Sequence, residues 1–536
     1  MTARITGWMA IAALLAGCGV DQSIVTVTIE QTPGEQPPGQ VPTPEPDTTV
    51  PADQGAPPST DVAGESSSGD GGPTSSLPPI SEPELLVQIP IEDVVNVGDE
   101  KPPRSYDGFV GVALSDIERW WSDVYPSVYG APFEPLADGV YAGYPERTSD
   151  LPGCGEPRTR YQDLTLYVAF YCGQGDFLIY DDGDSSLLKS LTDEFGPAVM
   201  GIVLAHEFGH AIQQRSGVLA QQLATIYTEQ QADCFAGAWT GQAYRGESPF
   251  LRLGDADVRA GLIAMLSVRD PVGVDQFVAG GHGSAFDRVG AFQEGFVSGP
   301  ARCGELIDQP LTLMPNQFWS LQDVDRQGNA SYDCSDDPNP DCTPAPAFLA
   351  DDLNDFWATA LGAQHANLTA EPVADLSAFE CTDIVVLASE AAICPSKHVV
   401  AYDEPAVLSL YNDFGDFTLG YFYGIAWAEW AQEETNSTLI GEARALMNDC
   451  LTGAWVRDIT PDESGNTPRR GDRNGDGDDD SITSSPGDLD EAIRMAVLVG
   501  DSGANDNVVG SPFEKIESFR AGVLGGIEAC NARIPG

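Results

Sequence analysis

Gly201-Ile202-Val203-Leu204-Ala205-His206-Glu207-Phe208-Gly209-His210-Ala211-Ile212-Gln213-Gln214-Arg215 reads as one apolar helix carrying two imidazoles and a carboxylate. Residues four apart share a helix face. His206 and His210 are so spaced, and two imidazoles one turn apart suit tetrahedral zinc. Glu207 sits beside them, where it can take a proton from metal-bound water. A helix this rich in Val199, Met200, Ile202, Val203, Leu204, Phe208 and Ile212 belongs in a core. Two His and a Glu are costly there unless something partners them.

Zinc needs a third protein ligand and one open position. No His follows His210 at the spacing of an extended His motif, so the ligand is sought on the next helix, expected over Tyr227 to Tyr244. Glu229 stands nineteen residues after His210, and Asp233 lies one turn further on. Glu229 fits as the ligand, against the simpler reading of a cap or solvent-facing residue. Asp233 fits as the group that accepts from a ligand His and fixes its tautomer.

These blocks, His206-Glu207-Phe208-Gly209-His210-Ala211-Ile212-Gln213 and Glu229-Gln230-Gln231-Ala232-Asp233-Cys234-Phe235-Ala236-Gly237-Ala238-Trp239, resemble the bacterial neutral zinc metallopeptidases, gluzincin-like in pattern. Phe170-Tyr171-Cys172, His282-Gly283-Ser284 and Phe292-Gln293 with Gly295-Phe296 look like further blocks of that family. The resemblance covers about residues 108–306. It implies a zincin-like domain, zinc on His206, His210 and Glu229, Glu207 as general base, and a protein or peptide substrate. His282 is the candidate to hydrogen-bond the oxyanion, or is a packed His before a turn; Tyr227 and Arg288 are weaker candidates for that task. The competing function is a non-catalytic surface-binding lipoprotein that keeps a structural zinc.

Further out, the chain repeats itself. Phe195-Gly196 through Gln213 aligns without a gap to Phe414-Gly415 through Gln432, an offset of 219 residues. Around this anchor Asp116 to Trp121 resembles Asp352 to Trp357, and Asp233-Cys234 with Trp239 matches Asp449-Cys450 with Trp455. Phe286, Phe292, Gly295 and Cys303 match Phe513, Phe519, Gly522 and Cys530. Ile425, Ala426 and Glu429 stand where His206, Glu207 and His210 would, and Ala445 falls near the Glu229 position. The expected fold is therefore α+β and mainly helical: a metallopeptidase domain with a small β-hairpin or sheet, then a degenerate second copy. The β-rich runs are Leu164 to Tyr171 and Phe177 to Tyr180. Expected boundaries are 1–17 for a signal peptide, 18–84 for a Pro/Gly/Ser-rich tether, 85–306 for the first domain, 307–346 for a linker and 347–536 for the second copy. The second copy carries an acidic insertion, 462–486.

Within that insertion Asp472, Asn474, Asp476 and Asp478 alternate in the manner of a calcium loop, although Thr483 stands at the twelfth position. Calcium binding and a solvated acidic loop are both open readings. The N-terminal apolar run ends in Leu15-Ala16-Gly17-Cys18, which looks like a lipobox with Cys18 as the lipidated residue, or else an ordinary signal peptide. The expected location is the cell envelope, anchored through the lipid and facing the extracytoplasmic side. Without Cys18, ten Cys remain of 11. The repeat pairs them as Cys154–Cys172, Cys234–Cys303, Cys381–Cys394 and Cys450–Cys530, leaving Cys334–Cys342 in the linker. With 26 basic against 82 acidic residues, a net charge of −56 excludes nucleic acid as a partner.

Overall fold

The computed structural model describes residues 80–165, 167–318, 324, 326, 328–335, 342–462, 482–500 and 510–533. The leader, Cys18, the tether as far as residue 79 and the loop from Asp472 to Asp478 lie outside the described residues. Among the described residues no helix is long and apolar enough to cross a membrane.

The first half is built around α1 (Asp107–Tyr129), α2 (Leu187–Phe195), α3 (Ala198–Ser216), α4 (Thr225–Tyr244), α5 (Asp255–Ser267) and α6 (Ala285–Glu305). Helices α3 and α4 are buried along almost their whole length. Small residues make that possible. A Cβ on Gly237 of α4 would lie 1.9 Å from the carbonyl oxygen of Phe292, and one on Gly295 of α6 would lie 1.8 Å from that of Cys234. The two helices therefore touch backbone to backbone, and Cys234–Cys303 staples them. Helix α1 lies alongside, its buried Asp116 accepting from Trp239 Nε1 (3.0 Å), Gln242 Nε2 (2.9 Å) and Ser248 Oγ (2.8 Å). A buried carboxylate held by that many donors fixes α1 against α4.

A four-stranded sheet covers one side, formed by β1 (Val95–Asn96), β2 (Gly139–Gly143), β3 (Ala169–Cys172) and β4 (Phe177–Asp181) in the order β1-β2-β4-β3. β2 runs parallel to both β1 and β4, and the hairpin β3–β4 leaves β3 at the sheet edge. The apolar run from Leu164 to Tyr171 is only partly strand, since Tyr161–Leu164 is a helical turn and pairing begins at Ala169. Leu164 is used instead as a plug: it is fully buried in a small second core with Leu151, Phe170, Phe177 and Ile179.

The second half continues with α7 (Ala345–Leu361), β5 (Thr369–Val373), β6 (Val385–Ala388), β7 (Ala391–Cys394), β8 (Val399–Asp403), α8 (Glu404–Phe414), α9 (Phe417–Glu434), α10 (Gly441–Ile459), α11 (Asp488–Gly500) and α12 (Pro512–Ala532). Its sheet has the order β6-β7-β8-β5, with β8 parallel to β5 and antiparallel to β7. Helices α10 and α12 meet as closely as α4 and α6: a Cβ on Gly453 would lie 2.0 Å from the oxygen of Phe519. Cys450–Cys530 bridges them, and Trp455 Nε1 donates to Asp352 of α7 at 2.7 Å. The remaining bridges are Cys154–Cys172, Cys334–Cys342 and Cys381–Cys394.

The halves are packed together through α6, α11 and α12. Phe296 and Phe513 meet with ring centroids 4.7 Å apart, Arg520 lies over Phe286, and Gln293 Nε2 donates to the carbonyl of Phe513.

Candidate metal centre

Helix α3 presents His206 and His210 on one face, their Nε2 atoms 3.2 Å apart. Helix α4 brings Glu229 against them from the facing side, with oxygens 3.3 Å from His206 Nε2 and 3.5 Å from His210 Nε2. All three side chains are buried, and their ligand atoms fall within 4.8 Å of one another.

The partners on the far side of each ring define the chemistry. His206 Nδ1 lies 2.7 Å from Asp233 Oδ1. His210 Nδ1 lies 2.9 Å from Gln213 Oε1, and that amide is oriented by donation from its Nε2 to the carbonyl of Thr228 at 2.6 Å. Both acceptors hold the ring proton on Nδ1, so both Nε2 atoms present lone pairs to the centre. Two lone pairs and a carboxylate converging in a dry pocket repel one another unless a cation lies between them. The donor set, two imidazoles and one carboxylate, is one that zinc takes in a site with an open position. The residues present therefore fit a zinc ion.

A proton can take the same part as a metal cation between these groups. Burial works against a protonated His206, but Asp233 and then Glu229 more than offset it and hold the ring basic, up to about 10. Burial likewise opposes the charge of Glu229, yet His210, His282 and His206 hold its carboxyl well below the usual carboxylate range. The pocket favours positive charge at its centre.

Asp233 is itself gripped. Arg288 of α6 donates from Nε to Oδ2 (2.9 Å) and from Nη2 to Oδ1 (2.7 Å), and its third nitrogen reaches the carbonyl of Val268 at 2.6 Å. Arg288 thus positions Asp233 and, through it, His206, and it also borders the cavity beside them. Tyr227 does not line the cavity and instead packs against Phe277, the rings 6.3 Å apart.

A cavity of about 300 Å³ opens beside the centre, lined by His206, Glu207, His282, Arg269 and Asp270 and by the apolar Leu187, Val203, Met265 and Val268. Glu207 borders it, and its buried Oε2 has no hydrogen-bond partner among the described residues. Burial pushes the Glu207 carboxyl above its ordinary range, with the imidazoles of His206 and His210 pulling the other way. His282 sits on the same wall, its Nε2 3.9 Å from Glu229 Oε2 and its Nδ1 3.7 Å from Asp270 Oδ1. Asp270 accepts from the main-chain amides of His282 (3.0 Å) and Gly283 (2.8 Å) and so closes the loop that carries His282. Sequence reading does not find Asp270 or the role of Gln213. Asp270 works through main-chain amides, which leave no side-chain spacing to read.

Where Ile425 and Glu429 stand in the second half, a groove is lined by Ile425, Glu429, Arg444, Asn448 and Lys515. Arg444 and Asn448 both donate to Glu429, at 2.6 and 2.8 Å. Lys515 pairs with the buried Asp449 at 2.8 Å. Among the described residues, no second His-containing cluster of metal-ligand geometry is present.

Residues 104–306 match the family described as "Putative neutral zinc metallopeptidase". An uncharacterized protein of Mycobacterium tuberculosis is 35% identical over 152 residues, which is 24% of this chain and 52% of the relative. The uncharacterized Escherichia coli protein YpfJ is 29% identical over 223 residues, covering 36% of this chain and 69% of that protein. The chain thus spans about half the length of the mycobacterial relative. No solved structure matches.

Proposed function

We propose that the segment 104–306, which matches the family described as "Putative neutral zinc metallopeptidase", is a zinc-dependent endopeptidase acting on protein or peptide substrates at the cell envelope. His206, His210 and Glu229 hold the metal. The observation that carries the reading is the convergence of two lone-pair Nε2 atoms, 3.2 Å apart, on a buried carboxylate. A zinc ion bound there supplies a Lewis acid that acidifies water and polarises a carbonyl. Glu207 accepts the proton from the attacking water and returns one to the leaving amine. Its partnerless buried oxygen beside the cavity supports that role. His282 donates to the oxygen that gains charge, and its place on the cavity wall supports this. A structural zinc is ordinarily closed by four protein ligands, whereas three residues converge here next to open space.

The same reading takes residues 347–536 as a second copy that has lost its metal ligands. The order of helices, the neighbours of β5, β7 and β8, the paired glycine contacts and the Cys450–Cys530 bridge support it. Lys515 with Asp449 then stands in the place of Arg288 with Asp233.

Metal analysis and peptide hydrolysis on Glu207→Gln test both statements. The expected result is about one zinc per chain in parent and variant, with hydrolysis reduced ~10²–10⁴-fold in the variant. Undiminished hydrolysis by Glu207→Gln overturns the general-base assignment, and two zinc per chain overturns the ligand-less second copy.

A further inference from the structure

We propose that Asp490, carried by the second half of the chain, is a positioning residue for the metallopeptidase pocket: it clamps the two ends of the loop that bears His282. The proposal rests on the peptidase reading of that pocket.

Helix α5 ends at Ser267 and α6 begins at Ala285. The connection between them forms one wall of the cavity, through Arg269, Asp270 and His282. Asp490 lies on α11 and its side chain is almost fully buried, at 2% exposure. One of its oxygens takes Arg269 Nε at 2.6 Å, at the start of the connection. The other takes the main-chain amide of Phe286 at 3.2 Å, at the end. A single carboxylate from the second half therefore bridges residues 269 and 286. Inside that bridge Asp270 ties the amides of His282 and Gly283, and Asp270 N donates to the carbonyl of Gly283 at 2.9 Å. Two residues beyond Phe286, Arg288 grips Asp233 and so orients His206.

The clamp rests on geometry: one buried carboxylate meets both ends of the connection. A buried carboxylate is costly unless it is paired and hydrogen-bonded. Burial raises the Asp490 carboxyl above its ordinary range, while Arg269, Arg494 of its own helix and the amide of Phe286 pull the other way. Arg269 also donates to the carbonyl of Leu266 at 3.1 Å, so its guanidinium spans the end of α5 and the second half together. The first half alone lacks the carboxylate that completes this arrangement. On this reading the second half is kept because it holds the catalytic wall in register, without contributing a metal ligand.

The test is Asp490→Asn in the full chain, which keeps the shape and removes the charge. Hydrogen–deuterium exchange should accelerate in the peptides spanning 269–286, with the rest of the first half unchanged. Zinc content should stay at the parent value. Hydrolysis should lose ~10-fold or more in kcat, with kcat/KM falling in parallel and KM holding, the signature of a geometry needed in the transition state. Arg269→Gln breaks the clamp from the other side and should give the same exchange pattern. Unchanged exchange over 269–286 in both variants overturns the proposal. So does accelerated exchange with parental kcat, which would mean that the bridge is only structural. If the parent cleaves no peptide, the endopeptidase reading fails, and exchange still decides whether Asp490 holds the loop.

Discussion

Replacing Asp233 by Asn separates what this carboxylate does for the metal from what it does for the fold. Asp233 is fully buried and accepts three hydrogen bonds: one from His206 at 2.7 Å and two from Arg288 at 2.7 and 2.9 Å. Asn offers one oxygen and one amide nitrogen in the same shape. In either orientation of the amide, a donor faces a donor, at His206 or at Arg288. Losing the group that fixes a ligand tautomer costs about 10–100-fold in metal affinity, or about 1.4–2.7 kcal/mol.

The fold loses more. Breaking a buried ion pair from one side costs about 3–5 kcal/mol, because the remaining charge is left uncompensated. Arg288 would keep the Val268 carbonyl at 2.6 Å, and the charges of Glu229 and Asp270 also act on it. The loss should therefore fall near the lower end of that range. Urea unfolding of the metal-free protein reads the second effect, and competition with a zinc chelator reads the first. In Asp233→Asn/Arg288→Gln the stranded charge is gone, so stability should recover in part while zinc affinity stays low. An Asp233→Asn protein that binds zinc as the parent does, and unfolds within about 0.5 kcal/mol of it, would refute this account of the site.

Two further outcomes follow from the packing and the buried charges. Gly237→Ala places a methyl 1.9 Å from the carbonyl of Phe292, so α4 and α6 must separate; a loss of about 1–3 kcal/mol is expected, and an unchanged urea midpoint would deny the backbone contact. Burial pushes Asp416 up to about 6, against the amide of Ala330, and Glu491 beside it is raised well above its ordinary value by burial, Asp416 and Asp488. A carboxyl raised in the folded state gives stability that is full below the unfolded value near 4 and is lost as pH rises through about 6. Asp416→Asn should therefore narrow the stability difference between pH 5 and pH 8 by about 1.4 kcal/mol, and an equal difference in parent and variant would count against it.

The metal helices are legible because their chemistry imposes spacing. Two ligands on one turn must stand four apart, and Glu229 and Asp233 repeat that interval on the facing helix. The groups that support them carry no such mark. Gln213 works through an amide whose orientation is set by the carbonyl of Thr228. Asp490 lies 204 residues from Phe286, on a helix that has its own apolar face to bury. The run from Leu164 to Tyr171 misleads for a different reason. Its β-branched and aromatic character is real, but Leu164 fits under Gly143, where a Cβ would lie 2.1 Å from its Cδ2. Tyr161 donates to Asp181 at 3.0 Å and holds the helical turn in place. Tertiary packing overrides local propensity there.

On the duplication reading, the energetics of burial account for which parts of the second site remain. Ile425 and Ala426 replace a ligand and a base that faced a cavity, and an apolar side chain there costs the fold little. The charge pair beneath is different. Asp449 is fully buried and meets Lys515 at 2.8 Å and Tyr421 Oη at 2.6 Å. Losing either charged partner first strands the other in the core, and losing both requires two coordinated changes. A scaffold free of catalytic constraint therefore sheds its ligands readily and keeps its buried ion pair. Glu429 follows the same rule: standing where a ligand would, it is retained with two donors, Arg444 and Asn448, that answer its charge. On that reading, what persists in the second half is what the fold needs, and the contrast with His206, Glu207, His210 and Glu229 sets apart the residues proposed for the chemistry.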